Sequence, residues 1–249
     1  MDDYTAATYG DRIAETYDAW YAELAFGGDL ATTVAFLRDL AGGRPVLELG
    51  IGTGRVALPL RETGIEVHGI DASEEMTARL RSKPGGTDVP VTIADFRTFE
   101  LAQRFGLVYV VFNTFFGLLE QEHQIECFHA IAAHLEPGGV FAMEAFVPDL
   151  SRFERGQRVQ AIDVGDDEAH LEVSVHDPIH QRTTSQHVVL REDGPRLYPV
   201  RIRYAYISEL DLMARLAGMR LRERWADWDR SPLTPTSQKH ISVWELPAD

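Results

Sequence analysis

The 249-residue sequence predicts an α/β fold: a doubly wound sheet of seven strands, with an N-terminal helical segment and an antiparallel β insert after the fifth strand. Three observations predict it. Short apolar runs alternate with segments of helical period between Pro45 and Ala145, as strands joined by crossover helices do. A loop with glycines at alternate positions, Gly50, Gly52 and Gly54, directly follows the first of those runs. Beyond Gly156 the pattern changes to four strand-like runs separated by hairpin punctuation.

Taken in order, residues 9–40 read as helix, loop, helix. Tyr17, Trp20, Tyr21 and Leu24 recur at helical steps, Gly27-Gly28 interrupts them, and Leu30, Val34, Leu37 and Leu40 form a second stripe stopped by Gly42-Gly43. Residues 45–49 and 65–70 are the first two strands, flanking a helix over 56–60. Ser73 is placed to cap the next helix, which runs to Leu80. Strands are expected at 89–94, 107–112 and 140–145, with a helix from Gln121 to Leu135 and a turn at Pro137-Gly138-Gly139. The insert strands are expected at 159–164, 169–176, 183–190 and 197–206. Ser208 then caps a helix over Glu209–Ala217 that ends at Gly218, and the last two strands fall within 219–228 and 240–246. The expected division is residues 1–40 as a helical lid, 41–155 with 207–249 as the main domain, and 156–206 as a lid or dimer element.

Composition excludes several classes. With 24 Lys and Arg against 39 Asp and Glu, the formal net charge is −15, which argues against a nucleic-acid or anionic-membrane partner. The lone cysteine, Cys127, permits no internal disulfide and no multi-cysteine zinc site, and no metal is expected. No apolar run reaches the ~18 residues of a membrane span, and Met1-Asp2-Asp3-Tyr4 lacks the layout of a secretion signal. A cytoplasmic protein is the expectation.

The stretch Glu48-Leu49-Gly50-Ile51-Gly52-Thr53-Gly54 carries the functional signal. Glycines here let the chain turn sharply and let a ligand approach backbone that a Cβ would shield. Asp71 ends the next strand, where a carboxylate in a nucleotide-binding fold accepts ribose hydroxyl protons. The spacing is not the G-x-G-x-x-G of a dinucleotide site. Glu48 suits an ammonium group better than a pyrophosphate. S-adenosylmethionine, an adenosyl sulfonium with an amino-acid tail and no phosphate, has the matching chemistry.

On these residues the chain resembles the class I S-adenosylmethionine-dependent methyltransferases, whose first motif is E/D-x-G-x-G-x-G. The resemblance extends to Asp71-Ala72, to Ala94-Asp95-Phe96 after the third strand, to Asn113 after the fourth, and to the Ile13-Ala14-Glu15-Thr16-Tyr17-Asp18 segment. It is similar to actinobacterial small-molecule enzymes, including amino-sugar N-methyltransferases, which also insert β structure after the fifth strand. The resemblance implies a Rossmann-like sheet, with Ala94, Asp95 and Phe96 flanking the adenine and the Asp95 carboxylate receiving its amine. The cofactor set is then Tyr9, Tyr17, Glu48, Gly50, Gly52, Gly54, Asp71, Ala72, Ala94, Asp95, Phe96 and Asn113.

Methyl transfer is an in-line displacement, helped chiefly by alignment of the two reactants. Tyr9 and Tyr17 are placed to close over a sulfonium, where an aromatic face attracts the cation, whereas Trp20 reads as the apolar side of its helix. Glu144, at the end of the fifth strand, is the first candidate for orienting or polarising the nucleophile. His176 is the second, and Tyr17 completes the catalytic set. His123, His129 and His134 read as solvated or core histidines of one helix. Tyr21, Phe115, Phe146 and Tyr204 are candidates for the acceptor wall. The expected reaction is methylation of a small-molecule amine, with oxygen or carbon acceptors as alternatives. A nicotinamide oxidoreductase and a non-catalytic cofactor-binding subunit are the rival classes. A homodimer is compatible with the insert.

Overall fold

The computed structural model describes residues 4–23 and 29–248, for residues 21–23 the backbone alone. Two short helices, α1 (Thr8–Ile13) and α2 (Tyr17–Glu23), precede α3 (Leu30–Ala41). The main sheet contains β1 (Val46–Leu49), β2 (Val67–Asp71), β3 (Val91–Ile93), β4 (Phe105–Val110), β5 (Leu135–Phe146), β10 (Arg220–Trp225) and β11 (Lys239–Glu245). Its order is β10-β11-β5-β4-β1-β2-β3, and β11 runs opposite to the other six strands. Connections from β1 lead to β2 on one side, while β4 lies on the other. The gap between the carboxyl ends of β1 and β4 is therefore a topological switch point, where open α/β sheets bind ligands.

Helices cover both faces of this sheet. On one face α6 (Gln121–His134) and α7 (Ile207–Leu216) bury Phe128, Ile131, Leu210 and Met213 against Phe141 and Trp244. On the other, α3 and α4 (Ala57–Glu62) bury Phe36, Leu37 and Leu60 against Val46, Val67 and Tyr109. Each such apolar side chain, fully withdrawn from water, contributes about 1.5–3 kcal/mol. The first strand, buried at all four residues, is apolar throughout except for Glu48 because helices flank it on both sides. Ser73 caps α5 (Glu74–Ser82), its hydroxyl accepting from Met76 N at 3.1 Å.

Three expectations about the elements need correction. The helix α3, assigned from sequence to the lid, is a core helix, because Phe36 and Leu37 of its buried stripe meet the sheet. The Pro137-Gly138-Gly139 turn is absorbed into the beginning of β5, which starts at Leu135. Ser208 lies inside the first turn of α7, whose cap residue is Tyr206 with no side-chain capping bond.

The insert is a second sheet, a meander of β6 (Gln157–Val164), β7 (Glu168–Asp177), β8 (Arg182–Arg191) and β9 (Gly194–Arg203). Strand alternation gives it two unlike faces. Ser174 and Ser185 pair on the inward face, their hydroxyls 2.8 Å apart. Val159 and Val173 pair on the opposite face, where they are 69% and 39% exposed. A buried polar joint fixes the insert to the core: the Arg203 guanidinium donates to Gln124 Oε1 at 2.6 Å and to Glu209 Oε1 at 2.7 Å.

Candidate active site

The loop after β1 is built around backbone conformations that favour glycine. Gly52 has φ +55°, and its N–H donates to Asp71 Oδ2 at 2.7 Å. A Cβ on Gly50 would lie 2.4 Å from the Thr114 methyl group, so this turn is tight against the segment after β4. Gly54 serves packing instead, since a Cβ there would press on Leu58 and Leu80. Asp71 also accepts from Ser73 N at 2.8 Å through Oδ1. Burial raises its pKa, partly opposed by the two backbone donors.

The end of β4 is equally constrained. Phe112 and Asn113 both have positive φ, 57° and 61°, an uncommon state for a bulky residue and easier for asparagine. Side chains hold this bend. Glu144 Oε2 accepts from Phe112 N at 3.1 Å, and Asn113 Oδ1 accepts from Phe146 N at 2.7 Å. The Arg55 guanidinium sits 3.7 Å from the centre of the Phe112 ring.

Between the main sheet, the N-terminal helices and the inward face of the insert lies a cavity of about 620 Å³. Of the residues expected in the site, Tyr9, Tyr17, Asp95 and Phe96 line one part of it; Asn113, Phe146 and Tyr204 line another. The insert contributes Glu172, Thr183, Ser185 and His187, and the turn after β5 contributes Asp149. Ala72 and Ala94 adjoin Asp71, with Ala94 N donating to Asp71 O at 3.0 Å. The Tyr21 side chain lies outside the described residues.

Four assignments change. Glu48 is turned into the core, 2% exposed, where its Oε2 accepts from Tyr109 OH at 2.8 Å. Burial pushes its pKa up to about 8 against the Tyr109 hydrogen bond and the Arg55 charge, so it is no ammonium receptor on the cavity wall. Glu144 is 6% exposed and occupied by Phe112 N and by Lys239 Nζ at 3.2 Å; it supports the β4 bend rather than facing an acceptor. Phe115 is fully buried, edge-on to Phe128 with centroids 5.4 Å apart, so it belongs to the core. His176 stands behind the wall, with Nε2 2.9 Å from Tyr204 OH. Conversely His123, read as an incidental helix residue, lines the cavity beside Arg97.

The sequence reading missed the bonds that fasten the N-terminal helices down. Asp18 accepts from Thr53 Oγ1 at 2.6 Å and pairs with Lys83 at 2.7 Å, tying α2 to the glycine loop. Asp11 accepts from Ser73 Oγ at 2.6 Å, and a Cβ on Gly10 would lie 2.7 Å from Ser73 Cβ. Trp20 reaches the insert, its ring centroid 4.7 Å from His170 and 4.9 Å from Tyr198. One helix thus contacts both the glycine loop and the insert. Asp18 was visible in the Tyr17-Asp18 segment, but only contact with Thr53 shows its use.

A glycine turn at a switch point, a strand-end carboxylate and the aromatic rings of Tyr9 and Tyr17 on the cavity wall define the site of a nucleotide-type cofactor enzyme. Residues 46–139 match the methyltransferase domain family. The chain is 30% identical over 240 residues to the cypemycin N-terminal methyltransferase of a Streptomyces species, covering 96% of this chain and 98% of that protein. The solved structure of the CcbJ methyltransferase from Streptomyces caelestis superposes with a TM-score of 0.92 at 42% identity, covering 98% of this chain and all of that one. A dTDP-3-amino-3,4,6-trideoxy-α-D-glucopyranose N,N-dimethyltransferase of Streptomyces venezuelae is 29% identical over 136 residues, 53% of this chain and 56% of that protein. The chain belongs to the S-adenosylmethionine-dependent methyltransferases. It is an enzyme of methyl transfer, with S-adenosylmethionine as the methyl donor.

Proposed function

We propose that this enzyme N-methylates a small-molecule amine of secondary metabolism. The observation that carries the reading is the chamber of about 620 Å³ whose walls hold the Asp149 and Glu172 carboxylates together with Arg152 and Arg158. That is room for a small acceptor beside the reacting end of the cofactor. A carboxylate on that wall can accept from the N–H groups of an amine, while the neighbouring guanidiniums offset its pull on an ammonium charge. The amine-directed activities named for the cypemycin and amino-sugar relatives support the same choice.

The residues present fit the cofactor. Asp71 uses two of about four acceptor positions on backbone N–H groups, leaving capacity for ribose hydroxyls. Asp95 and Phe96 would meet the adenine, and Asn113, Tyr9 and Tyr17 the methionine end; that all five line the cavity supports this. When bound, the group supplies an electrophilic methyl carbon on a positive sulfur. The protein's part is alignment and exclusion of water: fixing two reactants in register lowers a bimolecular barrier by roughly 7–11 kcal/mol. Helices α1 and α2 serve as the lid, residues 41–155 and 207–249 as the catalytic domain, and the insert as the acceptor wall.

The reading extends to a cytoplasmic homodimer that acts on neither nucleic acid nor membrane. The net charge of −15 supports the exclusion, and among the described residues no helix is long and apolar enough to cross a membrane. The exposed Val159, Val173, Val175 and Leu197 support the dimer. A sheet face of four strands of 8–10 residues spans roughly 600 Å², near the ~800 Å² per partner of a stable interface.

The test is transfer from methyl-labelled S-adenosylmethionine to a panel of amino sugars, cyclic amino-acid amides, peptide N-termini, phenols and polyols. Label appearing on nitrogen is expected. Label confined to oxygen or carbon overturns the acceptor assignment, and tight S-adenosylhomocysteine binding with no transfer to any member overturns the proposed amine chemistry.

A further inference from the structure

An amine at neutral pH is largely an ammonium, and it cannot attack until one N–H proton has left. The chamber therefore needs a group that takes this proton and passes it on to water. Glu144 does not offer one, since both its oxygens are engaged behind the β4 bend.

The route lies in the insert. Tyr204 follows β9 and lines the cavity, yet its side chain is almost wholly buried, the residue being 3% exposed. Its main chain is pinned on both sides: Tyr204 N donates to Gln181 O at 3.0 Å, and Gln181 Nε2 donates to Tyr204 O at 3.1 Å. The Tyr206 ring meets it edge-on, centroids 5.9 Å apart. The phenol oxygen thus has little freedom of position. It lies 2.9 Å from Nε2 of His176, near the end of β7. The imidazole is held in turn by stacking on Phe153, with centroids 4.7 Å apart and planes 19° from parallel. His176 is only half-buried, so one part of it meets water while Nε2 meets the phenol.

We propose that Tyr204 is the acceptor-facing proton acceptor of the reaction, and that His176 is a positioning residue behind it that conducts the proton to solvent. The proposal rests on the reading of the enzyme as an amine methyltransferase. The step balances without any oxidant or reductant. The acceptor N–H bond breaks as a bond to the Tyr204 oxygen forms; the original Tyr204 O–H bond breaks as an N–H bond forms at His176 Nε2. The nitrogen keeps the electron pair of its broken bond and becomes the nucleophile. The imidazolium releases its Nδ1 proton to water, which leaves Tyr204 as it began and His176 protonated on Nε2. Once product has left, reprotonation of Nδ1 from water, with the Nε2 proton passing back through the phenol to water in the emptied chamber, restores the starting tautomer. Burial raises the pKa of Tyr204, which keeps the phenol protonated and able to donate toward His176. The arrangement requires the histidine tautomer with its proton on Nδ1 and a lone pair on Nε2.

Two measurements on the full chain test this. The first is nitrogen NMR of the histidine-labelled protein with S-adenosylhomocysteine added, His176 being assigned by its loss in His176→Gln. The proposal expects the Nδ1–H tautomer, with the Nε2 resonance shifting in Tyr204→Phe. An Nε2–H tautomer overturns it, because the imidazole then donates to the phenol and accepts nothing. This readout needs no acceptor. The second uses methyl-labelled S-adenosylmethionine and whichever panel amine the parent methylates fastest. Tyr204→Phe should lower kcat about 100-fold, in the range of general acid–base contributions, with KM and S-adenosylhomocysteine affinity within about threefold of the parent. His176→Gln should lower kcat about tenfold, with partial recovery in added imidazole. A raised KM with unchanged kcat, or affinity for S-adenosylhomocysteine lost together with kcat, overturns the proposal in favour of a packing role. A parent that methylates no amine refutes the underlying reading instead, while the tautomer still decides the dyad.

Discussion

Replacing Glu48 by Gln perturbs one buried group whose environment the structure defines closely. Glu48 is sealed behind the glycine turn and accepts from Tyr109 OH, and burial raises its pKa from 4.5 to about 8. Because the folded carboxyl keeps its proton to higher pH than the unfolded one, folding stability falls as pH rises from about 4.5 to about 8. Each pH step within that window costs about 1.36 kcal/mol. Between about pH 5 and pH 7 the loss attributable to this residue is therefore about 2–3 kcal/mol. Glutamine has the same shape, accepts the same phenol hydrogen bond and does not titrate, so Glu48→Gln should escape that loss. The assay is urea unfolding of parent and variant, without cofactor, followed by tryptophan fluorescence at both pH values. All other titrating groups are common to the two proteins and cancel in the difference. The variant should gain about 2–3 kcal/mol on the parent between the two conditions. Parallel stability curves would refute the reasoning, since they would mean that Glu48 is ionised in the folded state.

Further outcomes are expected at the surrounding residues. Asp71→Asn should weaken S-adenosylhomocysteine binding by about 1–3 kcal/mol, the scale of hydrogen bonds to a charged group, measured by calorimetry; unchanged affinity would remove Asp71 from the ribose site. Glu144→Gln should cost about 1–3 kcal/mol of stability through its loosened hold on Phe112 and Lys239, while kcat stays within about threefold. A kcat collapse with unaltered stability would return Glu144 to the catalytic set. The pair Val159→Asp and Val173→Asp on the outer face of the insert should convert a dimer to a monomer in sedimentation, and a monomeric parent would dismiss that interface.

The turn after β1 and the strand-end carboxylate beside it were legible in the chain because they rest on local geometry. Gly50 and Gly52 mark where the backbone must adopt positive φ, and Asp71 marks the end of the neighbouring parallel strand, a fixed distance away once β1 and β2 pair in register. Alternation of apolar runs likewise determined the α/β class, and the run of turn residues after Gly156 determined the meander. What the sequence could not show was orientation. Glu144 and Phe115 stand at the right ends of the right elements, yet one side chain faces a strained bend and the other faces Phe128. Nor does spacing along the chain bring Asp18 to Thr53, or His176 to Tyr204, across 35 and 28 residues. The first pair exists because α2 packs on the glycine loop, and the second because the meander sets His176 opposite Thr183 and Thr183 opposite Ile202, two residues before Tyr204. Periodicity records which face of an element is apolar; only packing decides what its polar groups meet there.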